Sequence, residues 1–197
     1  MSLVLAFVLG IAVTVVAVKA INSFWSFQAQ SLSDYAGPPT PALGDVLGGK
    51  FQAHGLIFDY SGRAKSRFTA NIEGAFDAEG GVLREHFSYA SGADDRRQWD
   101  IRFGPDGRTF TATAADVIGE GKGAIEGDAI RMTYRLQLPE RAGGHVLDVV
   151  DWLYLMPDGT IVNRSEMRKF GVLAAELMAV FTPAKIETAA RVLEAAE

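Results

Sequence analysis

The chain has 197 residues, 48% of them hydrophobic and 22% charged, and 19 basic against 24 acidic side chains give a formal charge of −5. At roughly 150 residues per domain this is one domain plus an accessory segment, too apolar for disorder and too acidic for a broad nucleic-acid footprint. The absence of cysteine excludes disulfides, thiol catalysis, cysteine-bound metal and the cysteine of a bacterial lipid anchor.

Residues Met1 to Val18 carry no charged side chain, Lys19 follows, and Phe24, Trp25 and Phe27 close the segment. Leu3–Val18 as a helix covers about 24 Å, and extension to Phe24 covers roughly 33 Å if Lys19 snorkels its ammonium outward. The segment therefore predicts a transmembrane anchor over residues 1–27 with an aromatic interface belt. A cleaved signal peptide is the competing reading, but there is no basic start and no closely following Ala-x-Ala site. Lys19 alone would put the body on the cytoplasmic side.

Residues 28–48 are rich in small polar residues and in proline (Pro38, Pro39 and Pro41), which predicts a linker lifting the body off the bilayer. Beyond it, ten alternating segments follow one another: 50–60, 66–77, 82–89, 97–103, 108–116, 121–125, 129–138, 146–156, 160–169 and 172–181. Turn residues such as Pro105-Asp106-Gly107, Gly127-Asp128 and Pro157-Asp158-Gly159 separate them. Ile130, Met132, Tyr134, Leu136 and Leu138 share one face of their segment, as do Trp99, Ile101 and Phe103. Successive half-wet hairpins without helical crossovers predict an all-β fold, an antiparallel up-and-down barrel of about 8–10 strands over residues 49–183. A C-terminal helix is expected over 184–197, capped by Thr182 with Pro183 in its first turn.

Polar groups on the apolar faces are the informative ones, because a barrel encloses either side chains or a ligand. Glu85 lies among Leu83, Phe87 and Tyr89, and either orients a ligand, works as an acid or base, or pairs with an interior Arg or Tyr. Asp116 ends an inward row near a rim, where a turn cap is the plainer role. The glycines of 118–123 have no strand–loop–helix setting for phosphate binding and suit a bulge or barrel corner. The strand around Asp151 is apolar on both faces, which calls for cover by the C-terminal helix or a second protein. Asp151 itself needs a partner, with Arg97, Arg164 and Lys169 as candidates. Asn163 and Lys169 share an inward face and either line the lumen or close a rim network. His54, His86 and His145 are scattered, so no metal site or cofactor is expected. No Gly-x-Ser-x-Gly elbow is present.

The ordered signatures Leu83-x-Glu85-x-Phe87-x-Tyr89, Arg97-x-Trp99-x-Ile101, Ala115-Asp116-Val117-Ile118-Gly119, Tyr134-x-Leu136, Asp151-Trp152, Asn163 and Met167-x-Lys169-Phe170-Gly171 resemble the bacterial DUF3833 family. The resemblance runs from Gly49 to Phe181. It implies a lipocalin-like barrel on an envelope protein with lipid-related work, and supplies no known active site. It also implies that the apolar N-terminus replaces the lipid anchor, with the body in the periplasm beside the inner membrane.

Three functions are open to such a chain. The first is a membrane-anchored module binding a lipid or other small apolar ligand through Glu85, Phe87, Trp99, Met132, Tyr134, Asn163 and Lys169. The second is a lipid-modifying enzyme with Glu85 as acid or base, assisted by Asp116 or Lys169; it requires these groups to converge. The third is an accessory subunit of a membrane complex, which predicts a filled barrel and an exposed apolar patch.

Overall fold

A computed structural model describes residues 3–25, 27–37 and 39–184. Ten strands form one closed barrel in which every neighbour is the next strand in sequence, and β1 closes against β10. They are β1 (Gly49–Asp59), β2 (Ala64–Phe76), β3 (Gly80–Tyr89), β4 (Asp94–Phe103), β5 (Thr109–Thr113), β6 (Gly121–Glu126), β7 (Ala129–Gln137), β8 (Val146–Leu155), β9 (Ile161–Lys169) and β10 (Val172–Pro183). All pairings are antiparallel, so closure leaves no free edge. The alternation read from the sequence is the inside–outside alternation of this barrel. Phe68, Ala70 and Ile72, Trp99 and Ile101, and Ile130, Met132, Tyr134 and Leu136 are all buried in one core.

Two glycines let aromatic rings lie flat against the inner wall. Gly123 pairs with Phe110, and a Cβ there would come within 2.1 Å of the ring; Gly55 pairs with Phe68, where the approach would be 2.2 Å. The glycine-rich stretch after Asp116 thus does two jobs. Gly119, at φ +72°, turns the chain, and Gly123 makes room for a core ring.

The barrel has distinct ends. One holds the start of β1, the end of β2 and the start of β3, and is stopped by α2 (Leu43–Leu47), whose Leu43 and Leu47 are buried in the core. At the other end, residues 114–120 leave the sheet and touch it again through a bridge between Val117 and Leu136.

Of residues 28–48, expected as a linker, those from Gln28 to Tyr35 pack on the barrel's outer wall, and α2 stops its end. Phe27, in a short 3-10 turn, is buried, and a second turn, Leu32–Tyr35, packs on β6 and β7. The Tyr35 ring lies 5.3 Å from Trp152 and 5.5 Å from Tyr154, and the hydroxyls of Tyr35 and Tyr154 both donate to Gln30 Oε1, at 2.5 and 2.7 Å. Gln28 Nε2 donates to Glu166 Oε2 at 3.0 Å, Arg164 sits over the Phe27 ring, and the Gly127 N–H donates to Thr40 Oγ1. The doubly apolar strand around Asp151 is therefore covered on its outer face by the chain's own N-terminal segment, a cover not expected from the sequence. A handful of aromatic and aliphatic anchors overrides a polar composition once a sheet face offers them a partner.

Two further expectations change. Thr182 and Pro183, expected to start a helix, end strand β10, where Thr182 pairs with Gln52 and Pro183 with Phe51. The rest of the predicted helix, 185–197, lies outside the described residues. At the other terminus α1 (Leu3–Trp25) is a 23-residue helix whose large apolar side chains from Leu3 to Val18 are exposed all round, Phe7 and Val16 among them. Among the described residues no helix is long and apolar enough to cross a membrane. The uninterrupted apolar run 3–18 covers about 24 Å, short of the ~30 Å hydrocarbon core. An apolar helix stands where the sequence predicts a spanning one.

Candidate ligand site in the barrel lumen

Above the apolar floor at the α2 end, the barrel holds a hollow of about 130 Å³. Six of the seven predicted binding residues line it: Glu85, Phe87, Trp99, Met132, Tyr134 and Asn163. Lys169 does not. It ends β9 at the rim, where Nζ lies 2.8 Å from His145 Nδ1 and over the exposed ring of Phe170. It has the inward parity of Asn163 and Ser165, but its strand has run past the wall that would bury it. The register also shifts between Leu173 and Ala175 on the paired strand.

The polar residues of the lumen gather at mid-height. Glu85 on β3 pairs across the ladder with Arg97 on β4, and Met132 on β7 with Asp151 on β8, which in turn pairs with Ser165 on β9. Asp151 accepts from Asn163 Nδ2 at 2.8 Å, from the Ser165 hydroxyl in a short bond, and from the Tyr134 hydroxyl at 3.5 Å. Asn163 also donates to the Trp152 carbonyl at 3.0 Å. Of the three candidate partners for Asp151, Arg164 and Lys169 lie outside the lumen, and Arg97 acts on it only through space.

Among the described residues lining the hollow, Arg97 is the one basic side chain. Its Nε donates to Asp116 Oδ1 at 3.0 Å, and its guanidinium carbon lies 4.2 Å from the Trp99 ring centroid. Its Nη2 is buried without a hydrogen-bond partner. Asp116 therefore holds Arg97 from the rim loop rather than capping a turn. With Lys169 turned away, the proposed trio Glu85, Asp116 and Lys169 does not converge on one cavity.

Burial decides the electrostatics. It pushes the Glu85 carboxyl up to about 7, against the pull of Arg97 and with a further push from Asp151. Burial likewise raises Asp151, against its hydrogen bonds from Ser165 and Asn163. The Tyr134 hydroxyl is raised too, first by burial and then by Asp151. A buried acid poised near neutrality beside an unsatisfied guanidinium N–H can both accept and donate a proton to a bound polar group.

Arg97, Asp151 and Ser165 were not among the predicted site residues. The signal was present: Arg97 has the parity of Trp99 and Ile101, Asp151 that of Val149, and Ser165 that of Asn163. A charged residue at an inward position reads as a strand end until the register shows the wall continuing past it.

The sequence model of the family described as "Protein of unknown function (DUF3833)" matches residues 21–183. No curated protein matches the chain. Among solved structures, the barrel is similar to that of the S-type phycobiliprotein lyase CPES from Guillardia theta, with a TM-score of 0.51 and 6% sequence identity, covering 73% of this chain and 92% of that one.

Proposed function

The chain belongs to the DUF3833 family, and we propose that its barrel is a binding module for a small apolar ligand, a lipid chain among them, held near a membrane by α1. One observation carries the reading. A closed ten-stranded barrel, stoppered by α2, keeps a hollow of about 130 Å³ with aromatic walls and a cluster of polar groups at mid-height. A well-packed core leaves few voids of this size. It approaches the ~150 Å³ of an engineered apolar cavity that takes up benzene, so the volume suits a slender chain end. The likeness to a phycobiliprotein lyase supports the barrel alone, since 6% identity carries no site across.

The tether rests on α1, whose large apolar side chains from Leu3 to Val18 are exposed. An exposed helix of that composition is unfavourable in water and favourable in lipid. In this reading α1 sits in the inner membrane with the barrel on the periplasmic side, an arrangement tested by a topology reporter fused after Ala184.

The ligand test is native mass spectrometry of the full chain, extracted gently from membranes. A bound apolar mass is expected, and it should be lost from Ala179→Leu, which fills the hollow from a buried lining position. Bare protein in both cases overturns the reading.

A further inference from the structure

The charges in the lumen are unbalanced in a way that selects the ligand's polar end. Three carboxyl groups, Glu85, Asp151 and Asp116, surround a single guanidinium, Arg97. Among the described residues no second cation lines the hollow, and Lys169, the nearest candidate by sequence, is turned to His145 at the rim. One guanidinium edge is already committed to Asp116, the Tyr134 hydroxyl acts on the guanidinium from close by, and the buried Nη2 is left without a hydrogen-bond partner. Asp151 takes donors from three side chains, whereas Glu85 has the Trp99 side chain as its donor and keeps further acceptor capacity. The site therefore offers one unanswered donor and one available carboxyl.

We infer that the lumen takes an apolar chain ending in an uncharged hydrogen-bonding head, an amide, ester or alcohol, and turns away a free carboxylate. The inference rests on the proposed lumen site being the ligand site. A carbonyl or hydroxyl oxygen answers Arg97 Nη2, and an amide or alcohol can also donate to Glu85. A carboxylate would answer Nη2 too, but as a fourth acid about one cation in a water-poor cavity, where like charges repel strongly. An ammonium would suit the carboxyls but presents only donors to a donor. The upward displacement of Glu85 to about 7 agrees, since the lumen already holds more acid than it readily ionises.

The test uses full chain in lipid nanodiscs, with Trp25→Phe and Trp152→Phe so that Trp99, on the cavity wall, is the remaining tryptophan of three. Octanamide and octanoate are titrated at pH 8 against empty nanodiscs, reading Trp99 emission. Octanamide should half-saturate the change at a concentration at least tenfold below octanoate. Arg97→Met should weaken octanamide about tenfold. Asp116→Asn, which removes an acid but leaves the guanidinium in place, should improve octanoate at least threefold, and it serves if the Met variant fails to fold. Octanoate binding as tightly as octanamide, or an Asn variant that leaves octanoate unchanged, overturns the head-group inference while leaving the lumen as the site. If neither compound alters Trp99 emission, the lumen reading fails and this inference with it.

Discussion

Glu85 and Arg97 stand directly opposite one another on β3 and β4, yet Arg97 directs its Nε to Asp116 on the rim. The cation facing Glu85 is thus shared, and burial outweighs it in setting the state of that carboxyl. Three consequences of the fold and one of this pairing can be measured.

The first is the pH dependence of stability. Glu85 titrates near 7 in the folded chain against an ordinary 4.5, so between those values the folded state binds more protons than the unfolded one. The sign follows: the stabilisation from the bound proton is complete below about 4.5 and is lost as pH rises through about 7. The full loss is on the order of 3–4 kcal/mol at 1.36 kcal/mol per unit. Denaturant melts between pH 5 and 8 should show that decline. Glu85→Gln should flatten it and be the more stable protein at pH 8. An unchanged slope in the Gln variant would remove Glu85 from the account.

Trp152 offers a second check. It is fully buried beneath Tyr35 and Tyr154, but its Nε1 has no hydrogen-bond partner. Trp152→Phe deletes an unsatisfied N–H along with some contact area, so the two effects offset and the loss should be about 1 kcal/mol. Trp152→Ala should lose about 3–5 kcal/mol. It should also expose residues 28–48 to protease, because the Tyr35 ring loses its seat.

The glycine beneath Phe110 gives a third. Gly123→Ala brings a methyl to within 2.1 Å of the ring. The strain should destabilise by roughly 1–3 kcal/mol. Phe110→Leu in the same chain should recover part of that loss, a coupling that a double-mutant cycle measures.

The stopper can be tested alone. Leu47 belongs to the α2 end of the core and also touches the hollow. Leu47→Ala should lower stability by about 2–5 kcal/mol. Hydrogen exchange should quicken first at the α2 end, in Phe51, Ile72 and Phe181, before the rest of the barrel.

What was legible in the sequence follows range of interaction. Period-2 alternation and turn chemistry are local, so all ten strands and the inward rows of Trp99–Ile101 and Ile130–Leu136 could be read directly. The inward position of Glu85 and Asn163 followed from the same parity. The fate of Lys169 did not, because parity is silent about where a wall ends. Residues 28–48 misled for a related reason: their composition offers little to bury, and only a partner face on β8 and β9 gives Phe27, Tyr35 and Gln30 something to hold.

By itself, then, the chain of residues determined the sheet, its alternation and its apolar N-terminal helix, since neighbours along the backbone suffice for these. Tertiary structure decided that the sheet closes, that α2 stops one end, that the apparent linker is a strap, and that one arginine serves three acids. Those outcomes depend on contacts between positions far apart in sequence, where the free energy of pairing and burial is settled by the register of strands rather than by any local pattern.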